Sequence, residues 1–277
     1  MRFSRYLFAA LFAAAAVPAR AEIRPMPIFD THIHYSDTAW ATISVAEAFR
    51  LLDAAGVRMA LVSATPGDAA LRLHAAQPRR VIPELRPYRT RADMHTWHGI
   101  PAIVPWLEQQ ISAGPWKGIG EFHLSGDAAR SETVKRVVDL AVARDLVLHA
   151  HSDVTAINHL FGHNPRAKVL WAHLGFTDAQ TVDAMLTRYG NLYVETAIRS
   201  DFATGASLQA PWRALFLKFP DRIMVGTDTY IVARWQGIAD TSAETRAWLR
   251  SLPPDVAEKL AWRNAARLYK VDEAAFK

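Results

Sequence analysis

Apolar, β-rich runs of six to eight residues recur along the chain, and helix-period segments separate them. The runs are Pro27–His34, Val57–Ala64, Val81–Tyr88, Trp116–His123, Leu146–His151, Lys168–His173, Asn191–Ala197 and Arg222–Asp228. Between them lie segments such as Val45–Ala55, Ser131–Ala143, Thr177–Tyr189 and Pro211–Phe219. Asp53-Ala54-Ala55-Gly56 reads as a helix ending at glycine, and Ser131-Glu132 as a capped start. Strands that alternate with helices imply parallel βαβ units with right-handed crossovers. Eight such units in about 250 residues predict an α/β chain closed into a (β/α)8 TIM barrel rather than an open sheet. Two more helices, Ala243–Ser251 and Pro254–Tyr269, would complete the ring.

The pattern starts only after about 25 residues, and what precedes it has a different character. Arg2 and Arg5 open the chain, Tyr6–Val17 is apolar and alanine-rich, and Ala19-Arg20-Ala21 follows. This predicts a signal peptide over residues 1–21, cleaved after Ala21. The apolar run is too short for a membrane anchor, which needs roughly 20 residues. The expected mature protein is therefore a single barrel domain over residues 22–277, exported to the periplasm or secreted.

Charge and cysteine content narrow the chemistry. The three leader arginines have no acidic counterpart, so the formal net charge falls from +5 for the whole chain to +2 without them. That near-balance gives no electrostatic case for nucleic acid, or for a membrane partner of the mature form. A small-molecule substrate is expected, and a homo-oligomer is compatible with the sequence. With no cysteine, disulfides, thiolate metal sites and a cysteine nucleophile are excluded, so any metal must be held by His, Asp and Glu.

The C-terminal ends of barrel strands carry catalytic groups. Those ends here hold His32 and His34, Glu121 and His123, His149 and His151, His173, and Asp228, with Glu195 inside the seventh run. His32 and His34 are two apart and share the inward face of one strand, so both imidazoles can reach one divalent ion. Asp30 points the same way and could orient a ligand imidazole. On the fifth strand His149 and His151 also share a face. His151, nearer the mouth, is the preferred ligand, and His149 reads as a supporting or core histidine.

Phe29-Asp30-Thr31-His32-Ile33-His34 resembles the opening signature of the amidohydrolase superfamily. Val169-Leu170-Trp171-Ala172-His173-Leu174-Gly175 resembles its sixth-strand motif, and Arg222–Asp228 its eighth-strand motif. The similarity in order and spacing runs from about Pro27 to Tyr269 and is nearest to the amidohydrolase-related branch. The resemblance implies that His32, His34 and a fifth-strand histidine bind metal. It implies that His173 binds a second metal or serves as acid or base, and that Asp228 both ligates metal and moves a proton. Metal-bound hydroxide would then hydrolyse a small amide, ester or lactone. A decarboxylase or hydratase of a carboxylated substrate is the alternative within the same branch.

Many superfamily members place a lysine on strand four, but Lys117 is at the wrong end of that run. Glu121, in Gly118-Ile119-Gly120-Glu121, resembles instead the strand-four glutamate of TatD-type nucleases, and a carboxylate there can bridge two ions. A TatD-like phosphodiester hydrolase is a further alternative, disfavoured by the lack of a basic stripe. The cofactor expected is a divalent metal, zinc before manganese or iron, as one ion or two. His123 and Arg199 are the expected substrate contacts; Arg86 and Tyr88 are also placed to reach substrate.

Overall fold

The computed structural model describes residues 25–276. The expected signal peptide, residues 1–21, lies outside them. Eight parallel strands form one sheet in sequential order: β1 (Ile28–His34), β2 (Val57–Ala64), β3 (Val81–Leu85), β4 (Gly118–Leu124), β5 (Val147–Ser152), β6 (Lys168–Trp171), β7 (Leu192–Glu195) and β8 (Ile223–Met224). Helices fill the intervals, so the expected (β/α)8 barrel is what forms. Among the described residues no helix is long and apolar enough to cross a membrane.

The ring closes between β1 and the segment after β8. The Thr31 amide and hydroxyl both donate to Val225 O, at 3.0 and 2.9 Å, and His34 N donates to Thr229 O at 2.9 Å. Asp30 adds side-chain bonds: its Oδ1 accepts from Thr227 N at 3.0 Å and its Oδ2 from Thr227 Oγ1 at 2.6 Å. Burial raises the Asp30 pKa to about 6 even against these bonds. Asp30 thus ties the seam together.

Several elements stop short of their sequence-predicted ends. β3 ends at Leu85 because Pro87 has no amide to continue the ladder. β6 ends at Trp171, and His173, Leu174 and Gly175 follow in left-handed conformation (φ 58°, 50° and 65°). β8 has two residues, so Asp228 stands on a loop. The single helix expected over Pro254–Tyr269 is three pieces, Pro254–Glu258, a wider π turn over Lys259–Arg263, and Asn264–Tyr269. The turn lets Leu260 O accept from Val225 N at 3.2 Å, while Asn264 Nδ2 donates to Pro220 O and Ile223 O at 2.7 and 2.8 Å. The interruption anchors the short eighth strand.

Candidate active site

β1 is buried along its whole length, and its inward residues are Asp30, His32 and His34. The outward Phe29 packs against Tyr269 and Phe276. The register pairs His34 with Ser63 of β2, and His34 Nδ1 lies 2.7 Å from Ser63 Oγ. His32 Nδ1 lies 3.0 Å from Glu195 Oε1 of β7. With both Nδ1 atoms engaged, both Nε2 atoms are left facing each other, 3.1 Å apart.

Two carboxylates meet those nitrogens. Glu121 Oε2 is 3.6 Å from His32 Nε2 and 3.2 Å from His34 Nε2. Asp228 Oδ1 is 3.5 and 3.3 Å from the same two atoms. Ligands held about 2.0–2.1 Å from an ion in a tetrahedron stand about 3.3–3.4 Å from one another. The spacing of each carboxylate oxygen to the two nitrogens therefore fits ligands of a divalent ion. A second ring of donors meets the other Glu121 oxygen, with His151 Nδ1 at 3.0 Å and His173 Nε2 at 3.4 Å from Oε1. The two oxygens of Glu121 are thus divided between two histidine pairs, as a bridging carboxylate would be.

The electrostatics favour a cation. Burial works against charge on His32, yet Asp228, Glu121 and Glu195 outweigh it and raise the His32 pKa well above the usual histidine value. Burial alone would push Glu121 up, but His32 and hydrogen bonds from His123, His151 and His173 hold it well below the usual carboxylate range. Asp228 is held at about 2, its burial outweighed by His32 and His34. Carboxylates kept ionised in this way present, in a buried place, the negative charge that a metal ion would neutralise.

The loop geometry aims the last two groups. Glu195 Oε1 accepts from His173 N at 2.8 Å, and His173 Nδ1 lies 3.0 Å from Ala197 O, which leaves Nε2 facing Glu121. Asp228 has φ 49°, and Arg234 locks its loop by donating to the carbonyls of Asp228 and Thr227. Gly226 is required by close approach: a Cβ there would stand 2.9 Å from both Glu195 Oε2 and His32 Cβ.

The structure gathers His32, His34, Glu121, His151, His173 and Asp228 at one place. His123 joins the margin, with Nε2 3.8 Å from Glu121 Oε2, and burial lowers its pKa. His149 lies one layer deeper, its Nδ1 2.9 Å from Glu84 Oε2, while Tyr269 donates to Glu84 Oε1 at 3.0 Å. Arg199 is not brought to the cleft. Its guanidinium donates to both oxygens of Asp201, at 2.6 and 2.5 Å, and to Thr177 O. The arginine beside the site is Arg86, whose Nε donates to Glu121 O at 2.8 Å and whose guanidinium stacks on Tyr88. Ser63 and Glu84 were not singled out from the sequence, and Glu195 was noted without a role. The signal for all three was a polar residue inside an apolar run.

Above these groups opens a cavity of about 330 Å³, lined by His34, Glu121, His123, His151 and Asp228 with Arg86, Arg91, Met94, Ile198, Tyr230 and Ile231. A mouth of this size over a histidine–carboxylate cluster, at the C-terminal end of a parallel barrel, is the architecture of a barrel enzyme.

The comparisons place that enzyme. The amidohydrolase family profile matches residues 38–271, and the chain belongs to this family. Among curated proteins, none matches. Among solved structures, an uncharacterised TIM-barrel protein from Bordetella bronchiseptica is similar with a TM-score of 0.63 at 14% identity, over 88% of this chain and 98% of that one. A putative 2-pyrone-4,6-dicarboxylic acid hydrolase from Pseudomonas putida has a TM-score of 0.61 at 12% identity, over 88% and 98% of the two chains. An amidohydrolase from Burkholderia multivorans with bound zinc has a TM-score of 0.54 at 15% identity, over 89% and 100%. At such identities these likenesses speak to the fold.

Proposed function

We propose that this enzyme is a metal-dependent hydrolase of a small ester, lactone or amide, working at the C-terminal mouth of the barrel. The observation that carries the reading is the convergence of His32 Nε2, His34 Nε2, Glu121 Oε2 and Asp228 Oδ1, with pairwise separations to the two nitrogens of 3.1 to 3.6 Å. These four residues would hold a divalent ion, and His151 and His173 on Glu121 Oε1 would hold a second. A bound ion supplies Lewis acidity, acidifying water and polarising a carbonyl. Zinc is the first ion to test, since the Burkholderia protein carries it. The Asp228 carboxylate would take a proton from attacking water and return it to the leaving group, and its low pKa keeps it ionised and so able to accept. His173 Nε2, with Nδ1 committed to Ala197 O, would face the carbonyl oxygen as a donor or hold the second ion. Arg86 and Arg91 in the cleft support a substrate that also bears a carboxylate. The same two arginines favour the second reading, a decarboxylase or hydratase, and product analysis separates the two. The N-terminal pattern of residues 1–21 supports export of the enzyme.

The test is Asp228→Asn, assayed against a panel of esters, lactones and amides together with metal analysis. The expected result is turnover reduced by about 10²–10⁴-fold, the range for loss of a general base, with metal still bound. A variant that turns over at the wild-type rate would remove Asp228 from the chemistry. Counting ions per chain decides whether Glu121 bridges: two ions support it, and one ion confines Glu121 to a single site.

A further inference from the structure

Among the described residues, the large apolar side chains left exposed are Phe176, Ile198, Tyr230 and Ile231, at 40–55% exposure. They do not scatter over the surface. Phe176 follows β6, Ile198 follows β7, and Tyr230 and Ile231 follow β8, so they form one continuous arc of the mouth. Ile198, Tyr230 and Ile231 line the same cavity as His34, Glu121 and Asp228. The Phe176 ring stands 4.6 Å from that of His173 and 5.5 Å from that of His151, which joins the arc to the floor of the site.

Two of the four also hold unfavourable backbone. Phe176 has φ 47° and Ile198 φ 58°. A bulky or β-branched side chain in the left-handed region is a genuine outlier. Ile198 thus combines two separate penalties, a left-handed β-branched residue and an apolar side chain in water. Strain of this kind persists where surrounding structure imposes it, and it clusters at ligand clamps. The loops after β1 and β3 give the remaining lining a polar part, with Ser36, Asp37, Arg86 and Arg91. The cleft therefore has a charged side and an apolar side above one reactive floor.

From this arrangement we propose that the substrate carries an apolar arm, an alkyl or aryl group on the carbonyl carbon whose bond to the leaving oxygen or nitrogen is hydrolysed, and that this arm lies on the arc of Phe176, Ile198, Tyr230 and Ile231. The proposal rests on the hydrolytic reading of the same site. A protein partner fits the arc poorly, because a stable interface engages roughly 20–30 residues on each side and the arc has four. Its continuity with the cavity selects a small molecule that is held at both ends.

The test uses the full-length, metal-loaded protein and the straight-chain carboxylates from acetate to decanoate, which mimic products of acyl hydrolysis. Binding is measured by calorimetry. Affinity should rise about fourfold per methylene as the chain covers the arc, the ratio expected for burying one CH₂, and then level off. In Ile198→Ser/Tyr230→Ser the rise should flatten, with octanoate weakened at least tenfold; circular dichroism and metal content verify that the variant is folded. A wild-type series with no rise, or an unchanged rise in the variant, overturns the proposal. So does concentration-dependent dimerisation that the double substitution abolishes, because the arc would then be covered by a second copy. Ester, lactone and amide hydrolysis is followed separately. A steep binding series without any hydrolysis supports the arc and overturns the hydrolytic reading, whereas hydrolysis with a flat series overturns the arc alone.

Discussion

Replacing Glu195 by glutamine should disable the site without removing a single proposed ligand. Glu195 is fully buried, and its two oxygens face three donors. Oε1 accepts from His32 Nδ1 at 3.0 Å and from His173 N at 2.8 Å, and Oε2 accepts from Ala197 N. A carboxylate satisfies all three, but an amide has only one oxygen. With that oxygen in the Oε1 position, the amide NH₂ confronts Ala197 N–H, and a buried donor is left unpaired at about 1–3 kcal/mol. In the flipped orientation the NH₂ confronts His173 N–H and His32 Nδ1. His32 must then take the other tautomer, with its proton on the Nε2 that should face the metal. Either arrangement lowers stability, and the second also lowers metal affinity, for which loss of such a supporting partner typically means 10–100-fold. For a chain of this size the stability loss corresponds to a fall in Tm of about 2–12 °C. The assays are thermal unfolding of the metal-stripped protein and a chelator competition for the loaded one. A glutamine variant that matches wild type in both would refute the reasoning, because it would mean that Glu195 does not set the His32 tautomer.

Gly175→Ala should cost about 2–5 kcal/mol in urea unfolding. Its φ of 65° is unfavourable for alanine, and the new Cβ would run into the ring of Trp171, which is itself fixed by a 2.6 Å bond from Nε1 to Ser152 O. An alanine variant within 0.5 kcal/mol of wild type, as an order-of-magnitude threshold, would show that the left-handed turn is soft. Asp145 accepts from Lys168 and Lys270, bonds that lower its pKa to about 2. A folded-state pKa below the unfolded value adds stability above about pH 4 that is lost as pH falls toward 2. The pair is exposed, so Asp145→Asn should lose only about 0.5–1 kcal/mol at pH 7, less in high salt, and the gap should close on acidification; a gap that widens in acid would contradict the assignment.

What was legible in the sequence was what lies within one run. His32 and His34 share a face because they are two apart, and Glu121 shows itself as an acid at the end of an apolar strand. What was not legible was pairing across the barrel. His32 finds Glu195 163 positions away and His149 finds Glu84 65 positions away, and neither spacing has a local signature. The same blindness affects Arg199. Its position after β7 made it a plausible contact, but Asp201, two residues on, captures the guanidinium. The short β6 and β8 could not be read either, since the runs Lys168–His173 and Arg222–Asp228 keep their apolar character past Trp171 and Met224, where the strands end.

That difference in strand length divides the mouth into two unlike halves. β1, β4 and β5 extend to their tips, so His34 and His151 stand at paired ladder positions, and His32 and Glu121 lie inside the same strands at breaks in the register. β6 and β8 stop early, and His173 and Asp228 project from left-handed residues that hold their aim only because Glu195 and Arg234 tie down the adjacent backbone. The exposed apolar arc rises from this second half as well. A loop can vary around a rigid frame without disturbing it. The strand-borne groups therefore give the site its frame, and the parts of the loops after β6, β7 and β8 that lie beyond His173 and Asp228 are where a change of substrate can occur without loss of the site. The constraint on such change is local: any new loop must keep an acceptor for His173 N and a lock on the carbonyls of Thr227 and Asp228, or the two loop-borne groups lose their direction before specificity can be altered.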